Sequence, residues 1–374
     1  MTNTAQITFS PDWLSPPGET IADLIEERDW TQAQLADRLG CTAKHVNQLI
    51  NGKAPISEQI AVKLSRVLGS SVGFWLKREA LYRAELAKIE EGSRLQEWTP
   101  WLDHFPVKDL MRKGVIPSHR LIAKHKPTVV KEMLQFFGVA SPEEWKEVYG
   151  GMEYTFRRTK EHQSNIGAIS AWIRQGEALA AQIECPRYDK SKFEDAIQQL
   201  RELTVLESKI FIPQLKKLCQ DSGVAFVIVP SIPSAHVSGM ARWISPHKAL
   251  IQISLYGRQN DRFWFTVFHE AAHILRHRKK DIFLDEHDSK GEYDRTPRTV
   301  SAQEDDADQW ARETLIPSKY KSELPLIRSK QSVVRFAKFL GIHPAIVVGR
   351  LQHDGFIGTN EMNDLKISIS EQDF

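Results

Sequence analysis

The sequence predicts a mainly helical α+β protein. Five short helices around a helix-turn-helix open the chain, a helical connector follows, and the C-terminal domain sets a metal-binding helix beside a small antiparallel sheet. Three observations carry this expectation. Residues 16–90 are cut into short amphipathic stretches by Pro, Gly and helix-capping Ser or Thr residues. Between Gly223 and Leu255, runs rich in β-branched and aromatic residues replace the helical spacing. His269, Glu270 and His273 form HExxH inside a helical pattern.

Length and composition set the outer bounds. The 374 residues suggest two or three domains, and 41% hydrophobic with 26% charged residues is ordinary globular usage that excludes extended disorder. Fifty basic against 48 acidic residues leave +2, so any basic patch must be local. Cys41, Cys185 and Cys219 are far apart, odd in number and free of CxxC spacing, which fits a reducing compartment. The start, MTNTAQITFSPDW, lacks a signal-peptide pattern, and the apolar run Val224 to Val229 is far short of the roughly 20 residues a membrane span needs. A cytoplasmic protein without membrane contact is expected.

Residues 1–15 are polar and expected to be flexible. Within 16–90, Thr31 and Thr42 stand at N-cap positions, and Leu35, Ala36, Leu39, Val46 and Leu49 put apolar faces on two short helices joined at Gly40 and Cys41. In a DNA reader of this kind the helix from Ala43 to Ile50 enters the major groove. Thr42, Ala43, Lys44, His45, Asn47 and Gln48 then meet bases and nearby phosphates, while Gln32, Asn51 and Lys53 hold the backbone. Residues 1–91 carry 10 basic and 12 acidic residues, which gives weight to a plain protein-contact bundle; from Arg38 to Ser57 there are three basic residues and no acidic one, which favours docking on DNA. Residues 16–78, including NGK at 51–53 and FWL at 74–76, resemble the HigA-type antitoxin branch of the XRE, lambda-repressor-like family. That resemblance implies a homodimer on a palindromic operator, in the first place at its own promoter.

Residues 91–220 are expected to be a helical connector, with apolar spacing of three and four in VVKEMLQFF and FEDAIQQLRELTVL and repeated interruption by proline, Pro213 included. The domain from 221 to 362 opens with GVAFVIV, SGMARWI and KALIQISL, expected to form an antiparallel meander. Helices are expected at 261–279, 301–316, 329–340 and 344–353, and a frayed tail over 363–374.

In the first of these helices His269 and His273, four apart, share a face on which both imidazoles can bind one Zn²⁺, and Glu270 can reach water on that metal. A metzincin would need Gly and His where Arg276 and Lys279 stand, so that class is excluded. His277 continues the series, but a helix rises about 6 Å in four residues, too far for a third ligand. With Arg276, Arg278, Lys279 and Lys280 it is expected to form a solvated helix end. The next helix offers Glu304 as third ligand and, one turn on, Asp308 as acceptor for a ligand imidazole N–H, with Ala307 and Ala311 permitting close packing.

The Glu-x-x-Ala-Asp-x-x-Ala pattern from Glu304 ending in LIP, together with HExxH, resembles the ImmA/IrrE metallopeptidases, which cleave repressor proteins. Over roughly residues 165–360 the resemblance implies a zincin-like fold, one Zn²⁺ per chain on His269, His273 and Glu304, Glu270 as catalytic base, and a protein substrate such as a repressor or toxin–antitoxin partner. A zinc site that only fastens two helices is the plainer alternative, although two His and one carboxylate leave a position for water. His236, Arg242 and Tyr293 are candidate oxyanion stabilisers, each with an equally simple surface or packing role, and a substrate strand is expected near Leu250 to Leu255. VVRFAKFLGIHPAIVVGRLQ has helix-turn-helix spacing at Ala337, Gly341, Val348 and Leu351, but its apolar AIVV points to packing. A non-proteolytic repressor or antitoxin, whose zinc domain senses a ligand or binds a toxin, is the competing reading.

Overall fold

The computed structural model describes residues 15–150, 165–255, 257–277, 283–286 and 302–373. The expected flexible start, up to residue 14, and Tyr293 lie outside the described residues. The chain divides into two compact units between Thr99 and Pro100.

The first unit contains α1 (Pro17–Glu26), α2 (Gln32–Leu39), α3 (Ala43–Ile50), α4 (Glu58–Val67) and α5 (Val72–Glu97). Hydroxyls of Thr31, Thr42, Ser57 and Ser71 accept from the backbone N–H three residues on, so each start from α2 to α5 is encoded locally. Thr31 and Gln34 complete a reciprocal capping box. Gly40, at φ 60°, ends α2 in the left-handed region and makes the turn into α3. Leu35, Ala36, Leu39, Val46 and Leu49 meet Ile21, Leu64 and Trp75 in one core. A Cβ on Gly18 would stand 2.1 Å from the Ile50 carbonyl oxygen, so α1 crosses α3 at a contact that only glycine allows.

In the second unit α6 (Val107–Arg112), α7 (Lys126–Phe137) and α8 (Pro142–Gly150) surround the rings of Trp101, Phe105, Phe137 and Trp145. Then come α9 (Ile166–Gln182), α10 (Lys190–Leu203) and α11 (Ser208–Asp221). Pro213 does not interrupt the chain as expected but sits inside α11. An interior proline costs about 3 kcal/mol. Burial of Phe211, Ile212 and Leu215 on the same helix outweighs it, at about 1.5–3 kcal/mol per large apolar side chain.

The strands β1 (Val224–Ile228), β2 (Val237–Ser245), β3 (Lys248–Ile253) and β4 (Phe283–Glu286) form one sheet in the order β1-β3-β2-β4. The expected antiparallel meander is corrected to a mixed sheet. β2 and β3 form an antiparallel hairpin, but β1 pairs in parallel with β3, Val224 opposite Ala249. Strand composition is the same for either direction, and only the path through Pro230 and Pro233 to the far side of β3 decides it. β4 was not expected; its four residues pair antiparallel with β2 at the sheet edge.

Both faces of the sheet are covered, which is why β1 is buried at every residue and does not alternate with polar ones. On one face α12 (Asn260–Arg276), α13 (Ala302–Leu315), α14 (Lys330–Leu340) and α15 (Pro344–His353) share a core with Phe226, Ala241 and Ile251. On the other, α9 is tied down where Gln252 Nε2 donates to the Trp172 carbonyl at 2.8 Å. Residues Ala345 to Val348 and Leu351 of α15 are buried, so this second helix-turn-helix-like pair packs as its apolar sequence suggests.

The frayed tail is also corrected. Asn260 N–H donates to Ile367 O at 2.9 Å, Ile369 N–H donates to Arg258 O at 2.7 Å, and Ile369 is 2% exposed. Lys366 adds an ion pair with Asp261 at 2.7 Å, both nearly buried. Backbone bonds, the Lys366 ion pair and the buried Ile369 hold the tail to partners far along the chain, so its polar local composition gave no sign of it. Among the described residues no single helix is long and apolar enough to cross a membrane.

Candidate metal centre and nucleic-acid interface

HExxH lies on α12, where the heptad-like spacing of Phe263, Val267 and Ile274 binds the helix to the core and turns His269 and His273 towards α13. Ala307 and Ala311 are fully buried, which lets α13 come close enough for Glu304 to meet both rings. His269 Nε2 and His273 Nε2 are 3.0 Å apart, and Glu304 Oε2 stands 3.2 and 3.6 Å from them. Among the described residues these three form the cluster able to hold a metal ion.

The donor set fits zinc. Bonds of about 2.0–2.1 Å in tetrahedral geometry place ligand atoms roughly 3.3 Å apart, within the observed spread. His269 Nδ1 faces Asp308 Oδ1 at 3.0 Å, so this nitrogen donates and leaves the Nε2 lone pair for the metal. Asp308 is itself held by Arg312 Nη2 at 2.6 Å. Burial holds His273 down at about 4, so the ring is neutral and able to coordinate near neutral pH. Burial alone would raise Glu304, but the imidazoles of His269 and His273 beside it outweigh that and hold the carboxyl at about 2, the anionic form a metal ligand needs. Asp308 likewise lies below its usual range, because the His269 hydrogen bond and Arg312 overcome its burial.

Glu270 is 0% exposed and lies against β2. A Cβ on Gly239 would be 2.4 Å from Glu270 Oε1 and 2.5 Å from Thr266 Cγ2, so the strand passes over this carboxylate only because residue 239 is glycine. Sequence reasoning missed Gly239; a glycine inside the SGMARWI strand was the available signal.

Several expectations change. His277 is not a solvated helix end. α12 stops at Arg276, His277 turns to φ −105°, ψ 170°, and its side chain is 7% exposed. Its Nδ1 lies 2.8 Å from His273 Nδ1 and its Nε2 3.2 Å from Asp306 Oδ2. Arg242 is no oxyanion stabiliser: it pairs with Glu177 of α9, on the sheet face away from α12. His236, just ahead of β2, adopts φ 47°. The segment Leu250 to Leu255 cannot accept a substrate strand along β3, because β3 is paired on both edges, with β1 and β2.

In the first unit Thr42, Ala43, Lys44, Asn47, Asn51 and Lys53 are exposed, whereas Gln32, His45 and Gln48 are half-buried. The Thr42 hydroxyl is engaged as cap, accepting from His45 N–H at 3.1 Å. Asn47 Nδ2 donates to Gln32 Oε1 at 3.3 Å, which ties the outward face of α3 to the start of α2. Arg83 Nη2 donates to Gly52 O at 3.0 Å and steadies the loop carrying Lys53, a support that the sequence reading did not include.

Comparison with known proteins gives two family matches. Residues 21–75 match a helix-turn-helix family model, and residues 226–352 match the model of the IrrE N-terminal-like domain. An uncharacterized HTH-type transcriptional regulator of Escherichia coli K12, YddM, is 32% identical over 81 residues, 21% of this chain and 86% of that protein. Among solved structures, a putative antidote protein of a plasmid maintenance system from Nostoc punctiforme is 31% identical over 20% of this chain and 82% of its own, with a TM-score of 0.20.

Proposed function

The chain belongs to the helix-turn-helix DNA-binding regulators through residues 21–75 and carries an IrrE N-terminal-like domain, of a metallopeptidase family, at 226–352; on that premise we propose an operator-binding regulator that cleaves a partner protein with a zinc-dependent endopeptidase centre. The partner is a repressor- or antitoxin-type protein, and the operator is palindromic, read by a homodimer at its own promoter. Both roles belong to the cytoplasm. The DNA-binding module spans 16–90 and the metal module 221–362, with α9 to α11 closing the latter's sheet and core.

The observation that carries the reading is the convergence of His269 Nε2, His273 Nε2 and Glu304 Oε2 within 3.6 Å, next to a buried Glu270 that is not among them. Bound zinc supplies a Lewis acid that acidifies water and polarises a carbonyl. Glu270 takes the proton of the attacking water and delivers it to the leaving amine nitrogen. Asp308 keeps the His269 ring oriented throughout, and Gly239 leaves room for the Glu270 carboxylate beneath β2. On the DNA side, Lys44 and Gln48 meet base edges, and Lys53 meets phosphate.

The closure of the site favours a second reading. His269, His273 and Glu270 are 3%, 1% and 0% exposed while the Glu304 side chain keeps 25%, so the centre meets solvent at one edge, which suits a metal centre that senses or binds a partner without cutting it, or one that opens further on binding. Glu270→Gln separates these readings, since it removes the base while keeping size. Wild type and variant are incubated with candidate repressor and toxin partners. Under the peptidase reading zinc content persists and fragment formation falls by about 10²–10⁴; identical promoter regulation by both proteins, with no cleaved partner under any condition, supports the sensor.

A further inference from the structure

The two histidines of the metal centre are supported differently from behind. Asp308 serves His269 directly. Behind His273 stands another ring: His277 Nδ1 lies 2.8 Å from His273 Nδ1, and His277 Nε2 lies 3.2 Å from Asp306 Oδ2. Asp306 is gripped by both arms of Arg276, Nε to Oδ2 at 2.7 Å and Nη2 to Oδ1 at 2.6 Å.

We infer that His277 and Asp306 are positioning residues that act in series to fix the tautomer and orientation of His273, an inference that rests on the zinc reading above. The proton order follows from the geometry. Asp306 is a carboxylate and only accepts, so His277 Nε2 carries the hydrogen and donates to it. With the hydrogen of His277 placed on Nε2, its Nδ1 is the acceptor of the 2.8 Å contact and His273 Nδ1 the donor. That assignment leaves the lone pair of His273 on Nε2, the nitrogen that faces His269 and Glu304. His277 is not itself a ligand. It meets the Nδ1 edge of His273, away from the metal, and the converging atoms among the described residues belong to His269, His273 and Glu304. His277 closes α12 with extended backbone, and its ring, four residues on from His273, lies with its centre 4.9 Å from that of His273.

The first test uses wild-type full-length protein labelled with ¹⁵N-histidine and loaded with zinc. Long-range nitrogen–proton NMR correlations should show His273 protonated on Nδ1 and metal-bound through Nε2, and His277 neutral and protonated on Nε2. A proton on His277 Nδ1, or zinc on His273 Nδ1, overturns the inference without any variant having to fold. The second test measures zinc affinity by chelator competition. His277→Leu should weaken zinc about 10–100-fold, as loss of an outer hydrogen-bond partner does. His277→Gln, whose side-chain carbonyl can accept the same N–H, should recover most of that loss. Unchanged affinity in His277→Leu beside a wild type that binds zinc removes this inference and leaves the metal reading standing. A wild type that holds no zinc removes both.

Discussion

The two units place functional side chains in opposite environments. In the first, Lys44 and Lys53 stand exposed away from the core, so most of the proposed reading surface can change without touching it, the Thr42 cap and the Asn47–Gln32 bond excepted. In the second, His269, Glu270 and His273 are themselves buried within a helix that organises the core, and each depends on neighbours from α13, β2 and the turn at His277. Surface recognition is therefore a set of nearly independent contacts, whereas the metal centre is a coupled unit in which single changes propagate.

The sharpest way to break this contrast is Glu304→Ala. With one of three converging ligands gone, zinc affinity should fall by more than the roughly 10–100-fold typical of an outer partner, while a DNA-binding assay on the same protein should be unaffected. Retained zinc at wild-type affinity would remove Glu304 from the site. On the exposed side, Lys44→Ala with Gln48→Ala should cost about 1–3 kcal/mol per lost base contact and relax the operator preference at those positions, with zinc unchanged. Footprints that survive the double substitution would move the reading surface off α3.

What the sequence disclosed follows the same division. HExxH, the caps at Thr31 and Thr42 and the turn at Gly40 are local patterns, and spacing alone located them. Glu304 and Asp308 were found because the alanines beside them marked a helix built for close approach. His277 was misjudged because the basic run after it resembled a solvated end; its burial rests on contacts with His273 and with Asp306, far along the chain. The parallel β1–β3 pairing and the docked tail rest on long-range partners, which no local composition encodes. Gly239 belongs to the same class, since its necessity appears only once β2 lies over Glu270.

Gly239→Ala probes that coupling with a single methyl group. The added Cβ would press on both Glu270 and Thr266, and overpacking of a tight core costs about 1–3 kcal/mol. Thermal unfolding of the metal unit should shift down, and any hydrolysis should fall further than stability alone explains, because the base is displaced. An unchanged melting temperature would mean that β2 yields easily and that the site is less rigid than its burial implies.

The smallest expected effect is at Lys53, and it tests the other half of the contrast. Lys53 lies in the loop after α3, exposed, with Arg83 bound to the neighbouring Gly52 carbonyl, so its removal should leave the scaffold intact. A phosphate contact carries no sequence information. Lys53→Ala should therefore weaken binding to operator and unrelated DNA by the same factor and lower the slope of log affinity against log salt by about 1. If the loss is confined to the operator, Lys53 touches a base edge and the reading surface extends beyond α3. If the salt slope does not change, the phosphate contact is wrong and the local excess of basic residues from Arg38 to Ser57 must act through Arg38 and Lys44 alone.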